Sequence, residues 1–199
     1  MANTTNEPSW RAKMRAGQGF TPDDGFLADI IAAQTKVRAF NDGPVDDFPG
    51  MIERLRGLFG HLGENAFVLP HLSIDVGFNI EIGDNSFINA NATLLDSFPI
   101  RIGNDVQIGP NCAFYPVGHP LRVADRRITL PDGSHTHLTT GAPIVVEDQC
   151  WLGGNVIVQP GVTIGARSVI GAGSVVTKSI PPDVFAAGNP CRVIKAIDN

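Results

Sequence analysis

A six-residue period constrains this chain more than any other feature. Val76, Ile82, Ile88 and Leu94 are six apart. So are Ile102, Ile108 and Phe114, and so are Val146, Leu152, Val158, Ile164, Ile170 and Val176. Of these thirteen positions, twelve carry Val, Ile or Leu. A period of six suits neither one helix nor one flat strand. It suits a short strand plus a turn, repeated, which predicts a parallel β-helix. One aliphatic side chain per repeat then points inward and stacks on its counterpart in the next coil, at the ordinary strand spacing of about 4.8 Å. The fourth residue after it is often small: Ser86, Ala92, Cys112, Gly118, Cys150, Ser168 and Ser174. The residue just after it is often glycine, as at Gly77, Gly83, Gly103, Gly109, Gly153, Gly165 and Gly171, which suits a tight corner. A β-sandwich with accidental periodicity is the alternative, and the six consecutive hits from Val146 to Val176 argue against it.

The repeat breaks twice. Leu94 to Ile102 spans eight residues, so two bulge out near Ser97–Arg101. Phe114 to Val146 spans thirty-two, and most of that stretch is polar, so it must leave the coil as a long loop. Ahead of the repeats, residues 8–60 read as helical. Phe26, Ile30, Ala33, Val37 and Phe40 lie near helical spacing, with Asp24 as N-cap. Met51, Ile52, Leu55 and Leu58 mark a second helix over 46–60, with Gly60 as its stop. The expected organisation is a helical segment over 1–62, a β-helix over 63–186 with a loop at 118–143, and a cap over 187–199.

Composition narrows the function. The net charge of -5 argues against non-specific nucleic-acid binding, so an anionic ligand needs a local cationic site. Three widely spaced cysteines are not a disulfide framework. No run of eighteen apolar residues predicts a membrane span, and the first thirty residues hold no long apolar run. The expected compartment is the reducing cytoplasm, so the Asn3–Thr5 glycosylation sequon carries no weight.

The motifs resemble the hexapeptide-repeat acyltransferases, and most of all the maltose/galactoside O-acetyltransferase group with its nodulation and xenobiotic relatives. The likeness runs over nearly the whole chain. It rests on "KMRAGQGF" (13–20), "IDVGFNIEIGDNSFINAN" (74–91), the His119-Pro120 pair, the Trp-x-Gly-Gly step at 151–154 and the Gly-Asn-Pro-x-Arg tail at 188–192. The resemblance implies a left-handed β-helix that assembles as a homotrimer. Acetyl-CoA would run along the groove between two subunits, as co-substrate and without a metal.

His119 ends the coil, and Pro120 disfavours helical dihedrals there. A neutral imidazole can take a hydroxyl proton and return it to a leaving thiolate, and the matching family histidine has this role. Asn89 matches the family's acceptor-binding asparagine, which would orient the hydroxyl toward His119. Asp75 and Asp96 match residues lining the acceptor pocket, and Ser97 falls where some members carry a second carboxylate. Trp151 faces outward, where it could pack on the pantetheine arm or on a neighbouring subunit. Gly154 matches a backbone N–H that faces the thioester oxygen. Ala172, Thr177, Lys178 and Arg192 match the CoA groove. Cys112 and Cys150, at the inward corner, read as inert thiols.

Two departures stand out. The loop is longer than the family leads one to expect, and His135 and His137 in it could approach a metal or a substrate. Phe20 stands where members often have Tyr in an acceptor lid. Alongside O-acetylation of a sugar, three other readings stand. They are acetylation of an antibiotic, serine or amino sugar, a trimeric metal-dependent carbonic anhydrase, and a non-catalytic β-helical binding module.

Overall fold

The structure is a computed structural model describing residues 9–44 and 46–198; the Asn3–Thr5 sequon lies outside them. Residues 61–187 wind into a parallel β-helix with three faces. The first face stacks His61–Leu62, Ile80–Ile82, Ile100–Ile102, Ile144–Val146 and Thr163–Ile164. The second stacks Phe67–Val68, Phe87–Ile88, Gln107–Ile108, Trp151–Leu152, Val169–Ile170 and Val184–Ala187. The third stacks Ser73–Ile74, Thr93–Leu94, Ala113–Phe114, Ile157–Val158 and Val175–Val176. The antiparallel strand Arg192–Ala196 closes the second face.

The hexad residues form the interior. Ile88 pairs with Ile108, Ile108 with Leu152 and Leu152 with Ile170, and all four are buried. Each such side chain contributes about 1.5–3 kcal/mol by leaving water. The small corner residues also bond across coils. Ser86 Oγ donates to Gly103 O at 2.7 Å and accepts from Val106 N at 3.0 Å. Ser168 bridges Pro181 O and Val184 N in the same way. The Cys112 and Cys150 thiols lie 3.2 Å from Gly153 O and Gly165 O. Burial pushes the Cys150 thiol up to about 11 and raises that of Cys112, so neither is a ready nucleophile.

The phase of the first turn differs from the periodicity. The coil begins at His61, close to the expected 63, but Ile74, not Val76, stacks on Leu94. Ile74 to Ile82 spans eight residues, as Leu94 to Ile102 does. Val76 belongs to a two-residue excursion that turns at Gly77, with φ at +80°. Gly118, counted among the corner residues, has already left the coil.

Among the described residues, three helices precede the coil: α1 (Trp10–Arg15), α2 (Asp24–Asn41) and α3 (Phe48–Arg56). Asp23, not Asp24, caps α2, accepting from Phe26 N at 2.8 Å. The third helix stops at Gly57 rather than Gly60. Gly60 instead passes the first excursion so closely that a Cβ there would meet Phe78 O at 2.3 Å. Helix α2 docks on the third face, with Asn41 and Leu72 exchanging hydrogen bonds at 2.8 Å each way. A second core of Trp10, Met14, Phe20, Val76 and Phe98 joins α1 to both excursions.

The long loop is an ordered arm. Val117–Gly118 pairs antiparallel with Thr140–Gly141 at its base. A short helix, Val123–Arg126, leads into a hairpin of Arg127–Thr129 with His135–His137. Phe20 and Thr139 bond each other through both backbones, at 2.9 and 2.8 Å.

Candidate active site at two corners of the coil

Two corners of the coil hold most of the candidate site residues. One joins the third face to the first. The excursion 95–99 and the arm both leave there, so Asp75, Asp96, Ser97 and His119 share it. Asp96 is fully buried, and its carboxylate accepts from the N–H groups of Asp75 (3.1 Å), Val76 (3.0 Å) and Asn79 (3.2 Å). Burial pushes its carboxyl up to about 6 against these hydrogen bonds. Asp96 thus acts inward, holding the first excursion in shape. Ser97 Oγ donates to Asp75 Oδ2 at 2.6 Å. Burial raises the Asp75 carboxyl, and the bond from Ser97 partly offsets it. Asp75 is the accessible member of this trio.

His119 is exposed at the base of the arm. Its Nδ1 lies 2.8 Å from Leu138 O. A carbonyl only accepts, so Nδ1 carries the proton and the Nε2 lone pair is left for a substrate. Leu138 adjoins Thr139, which Phe20 bridges. Phe20 is 1% exposed, packed against Trp10, Phe26 and Phe98, and does not stand as a lid over an open pocket. The Leu138 carbonyl has no signature in the sequence, because any residue supplies one. His137 lies with its ring centroid 6.4 Å from that of His119.

The other corner joins the second face to the third. Asn89 N donates to Ile108 O, Gly109 N to Leu152 O and Gly153 N to Ile170 O, so Asn89, Gly109 and Gly153 follow one another along the coil axis. Gly154 and Ala172 lie one residue on, in the adjoining file: Asn155 N bonds Pro110 O at 2.8 Å and Gly173 N bonds Gly154 O at 2.9 Å. The glycines allow close approach, since a Cβ on Gly109 would meet Gly154 N at 2.6 Å. The Gly154 N–H makes no hydrogen bond among the described residues. Asn89 Oδ1 accepts from Ala90 N at 2.8 Å, which leaves its amide NH2 to donate. Trp151 is 57% exposed on the adjoining face, between Gln107 and Val169.

Within one chain, then, Asn89 and His119 stand at opposite ends of the third-face strands. The sequence reading has Asn89 aim a hydroxyl at His119, and a single chain does not bring the two to one corner. Thr177 and Lys178 follow the last third-face strand. Lys178 and Arg192 meet at a cavity of about 280 Å³, lined also by Ser179, Ile180, Cys191 and Val193. No group of three or more His, Cys, Asp or Glu able to hold a metal exists among the described residues. No helix among them is long and apolar enough to cross a membrane.

The family model for bacterial transferase hexapeptide (six repeats) matches residues 143–178. The galactoside O-acetyltransferase of Escherichia coli is 38% identical over 188 residues, covering 94% of this chain and 89% of that protein. A maltose O-acetyltransferase from Clostridium difficile superposes with a TM-score of 0.89 at 38% identity, over 96% of this chain and 99% of that one. A hexapeptide-repeat acetyltransferase of Vibrio cholerae, solved in complex with acetyl coenzyme A, superposes with a TM-score of 0.85 at 37% identity, over 96% and 100%. With this coil, these corners and these relatives, the chain belongs to the hexapeptide-repeat acetyltransferases, alongside the galactoside and maltose O-acetyltransferases.

Proposed function

We propose that this chain transfers an acetyl group from acetyl-CoA directly to a hydroxyl of a sugar or sugar-like acceptor, with His119 as general base. The carrying observation is the 2.8 Å contact of His119 Nδ1 with Leu138 O, which fixes the tautomer a base needs. Nε2 takes the acceptor proton as the hydroxyl oxygen attacks the thioester carbon. The tetrahedral intermediate then expels CoA thiolate, which takes the proton back from the imidazolium. The free Gly154 N–H is placed to stabilise the oxyanion, a contribution of about 3 kcal/mol for one such donor. Lys178 and Arg192 supply the cations that CoA phosphates need on an acidic protein. The acetyl-CoA bound to the Vibrio relative supports the donor, and the E. coli and Clostridium relatives support a sugar acceptor.

The separation of Asn89 from His119 supports a site shared between subunits, as in a homotrimer. There the corner with His119 in one subunit faces the corner with Asn89, Gly154 and Ala172 in the next. In this arrangement Asp75 and Ser97 line the acceptor side. Asp96 acts through the backbone it holds, and Trp151, Ala172 and Thr177 border the CoA path. A thiol-release assay with acetyl-CoA and a panel of sugars tests the reading. His119→Ala should lose about 10²–10⁴-fold in turnover while CoA still binds. Near-normal turnover in that variant would remove His119 as the base.

A further inference from the structure

The arm carries a cationic face beside the base that the transfer reaction does not use. In its hairpin, Arg127 and His137 are a directly opposed antiparallel pair, as are Thr129 and His135. Side chains so opposed share one face, with Cβ atoms about 5 Å apart. Arg127, His137, Thr129 and His135 are all exposed, whereas Ile128 and Thr136, on the other face, are half-buried. The file begins at His119, whose ring meets that of His137 edge-on at 6.4 Å.

The charge on this face is not neutralised within the arm. Asp125 pairs with Arg122 at 3.6 Å, and Asp132 caps its own turn through Ser134 N (2.9 Å) and Oγ (2.6 Å). Arg126 reaches back to the carbonyls of Pro120 and Leu121. Arg127 has no ion pair among the described residues. A guanidinium left over on an acidic chain, opposite an imidazole donor and next to the base, is arranged for an anion.

Building on the acetyl-transfer reading, we infer that the acceptor itself is anionic. It would be a sugar bearing a carboxylate or phosphate about one ring away from the hydroxyl that is acetylated. Arg127 grips the anionic group bidentately and His137 donates to it from across the ladder. That grip sets which hydroxyl faces His119. A neutral galactoside or maltoside leaves Arg127 without a partner, so charge on the acceptor becomes the basis of selection.

The test compares matched acceptors in the thiol-release assay: a glucoside, the corresponding glucuronide and the corresponding 6-phosphate. The expected result is a kcat/KM at least about tenfold higher for an anionic member than for the neutral one, the weight of one charge-assisted hydrogen bond. Which of the two is preferred tells carboxylate from phosphate. Arg127→Gln should shrink that ratio toward one, and Arg127→Lys should restore part of it. Equal kcat/KM across the set, or a ratio unchanged in Arg127→Gln, overturns the inference and leaves O-acetylation standing. A rise confined to the KM for acetyl-CoA also overturns it, placing the CoA phosphates on Arg127 instead. Absence of thiol release with every acceptor overturns the acetyl-transfer reading itself.

Discussion

In the coil, Leu152 is placed by like neighbours on either side, Ile108 and Ile170, and by backbone ladders in both directions. In the arm, the His119 ring is held by one hydrogen bond, to the carbonyl of Leu138, with the His137 ring edge-on beside it. The coil is therefore redundant: each strand repeats the instruction of the last. The arm is specified by single contacts at its base: the Val117–Gly141 pairing, the Phe20–Thr139 bridge and the bond to Leu138 O. The redundant region lays out the corner of Asn89, Gly154 and Ala172, and the singly specified region holds His119, the proposed base. Damage to the coil should appear as lost stability, and damage to the arm as lost turnover.

Leu152→Ala should sharpen this contrast most. It leaves a cavity in a stack with no exposed surface and should cost about 2–5 kcal/mol in urea unfolding. An unfolding midpoint near wild type would mean that the coil can collapse around the gap. Asp96 gives the next largest effect. In the unfolded chain its carboxyl ionises in the ordinary range near 3.8, but in the fold only near 6, so folding takes up a proton between those values. Its contribution to stability therefore falls as pH rises through that window. Between pH 7 and pH 4.5 the wild type should gain about 2 kcal/mol relative to Asp96→Asn. Parallel stability profiles for the two proteins would contradict the raised value.

Gly19→Ala probes the arm. The added Cβ would lie 3.1 Å from Thr139 O and 3.2 Å from Leu138 Cδ1, pressing on the strand that holds His119. A kcat loss of roughly tenfold, with the KM for acetyl-CoA unchanged, is expected if the imidazole loses its alignment. An equal rise in both KM values would point to loosened binding instead. Leu121→Ala should do least: Leu121 is 94% exposed, and stability should move by less than about 0.5 kcal/mol.

The same contrast decides what the sequence discloses. The spacing finds the stacks through Ile164 and Ile170 because the turns from Val146 to Val176 keep the period. It misplaces Val76 because an excursion of two residues shifts the first turn, and an aliphatic residue happens to sit in the wrong phase. His119 is legible because Pro120 and the end of the hexads mark it. Leu138 is not, because a backbone acceptor has no letter of its own. The distance between Asn89 and His119 is equally hidden. Motifs name residues in one line, and only the three-faced coil shows that they occupy different corners.

Mixing two inactive variants tests the shared site most directly. His119→Ala and Asn89→Ala are unfolded and refolded together in equal amounts, so that each site draws at random on two subunits. If one subunit supplies His119 and the next supplies Asn89, about a quarter of the sites carry both native residues, and activity returns to about a quarter of wild type. If both residues act from the same chain, no site is ever complete, and mixed oligomers that form but stay inactive would contradict the account.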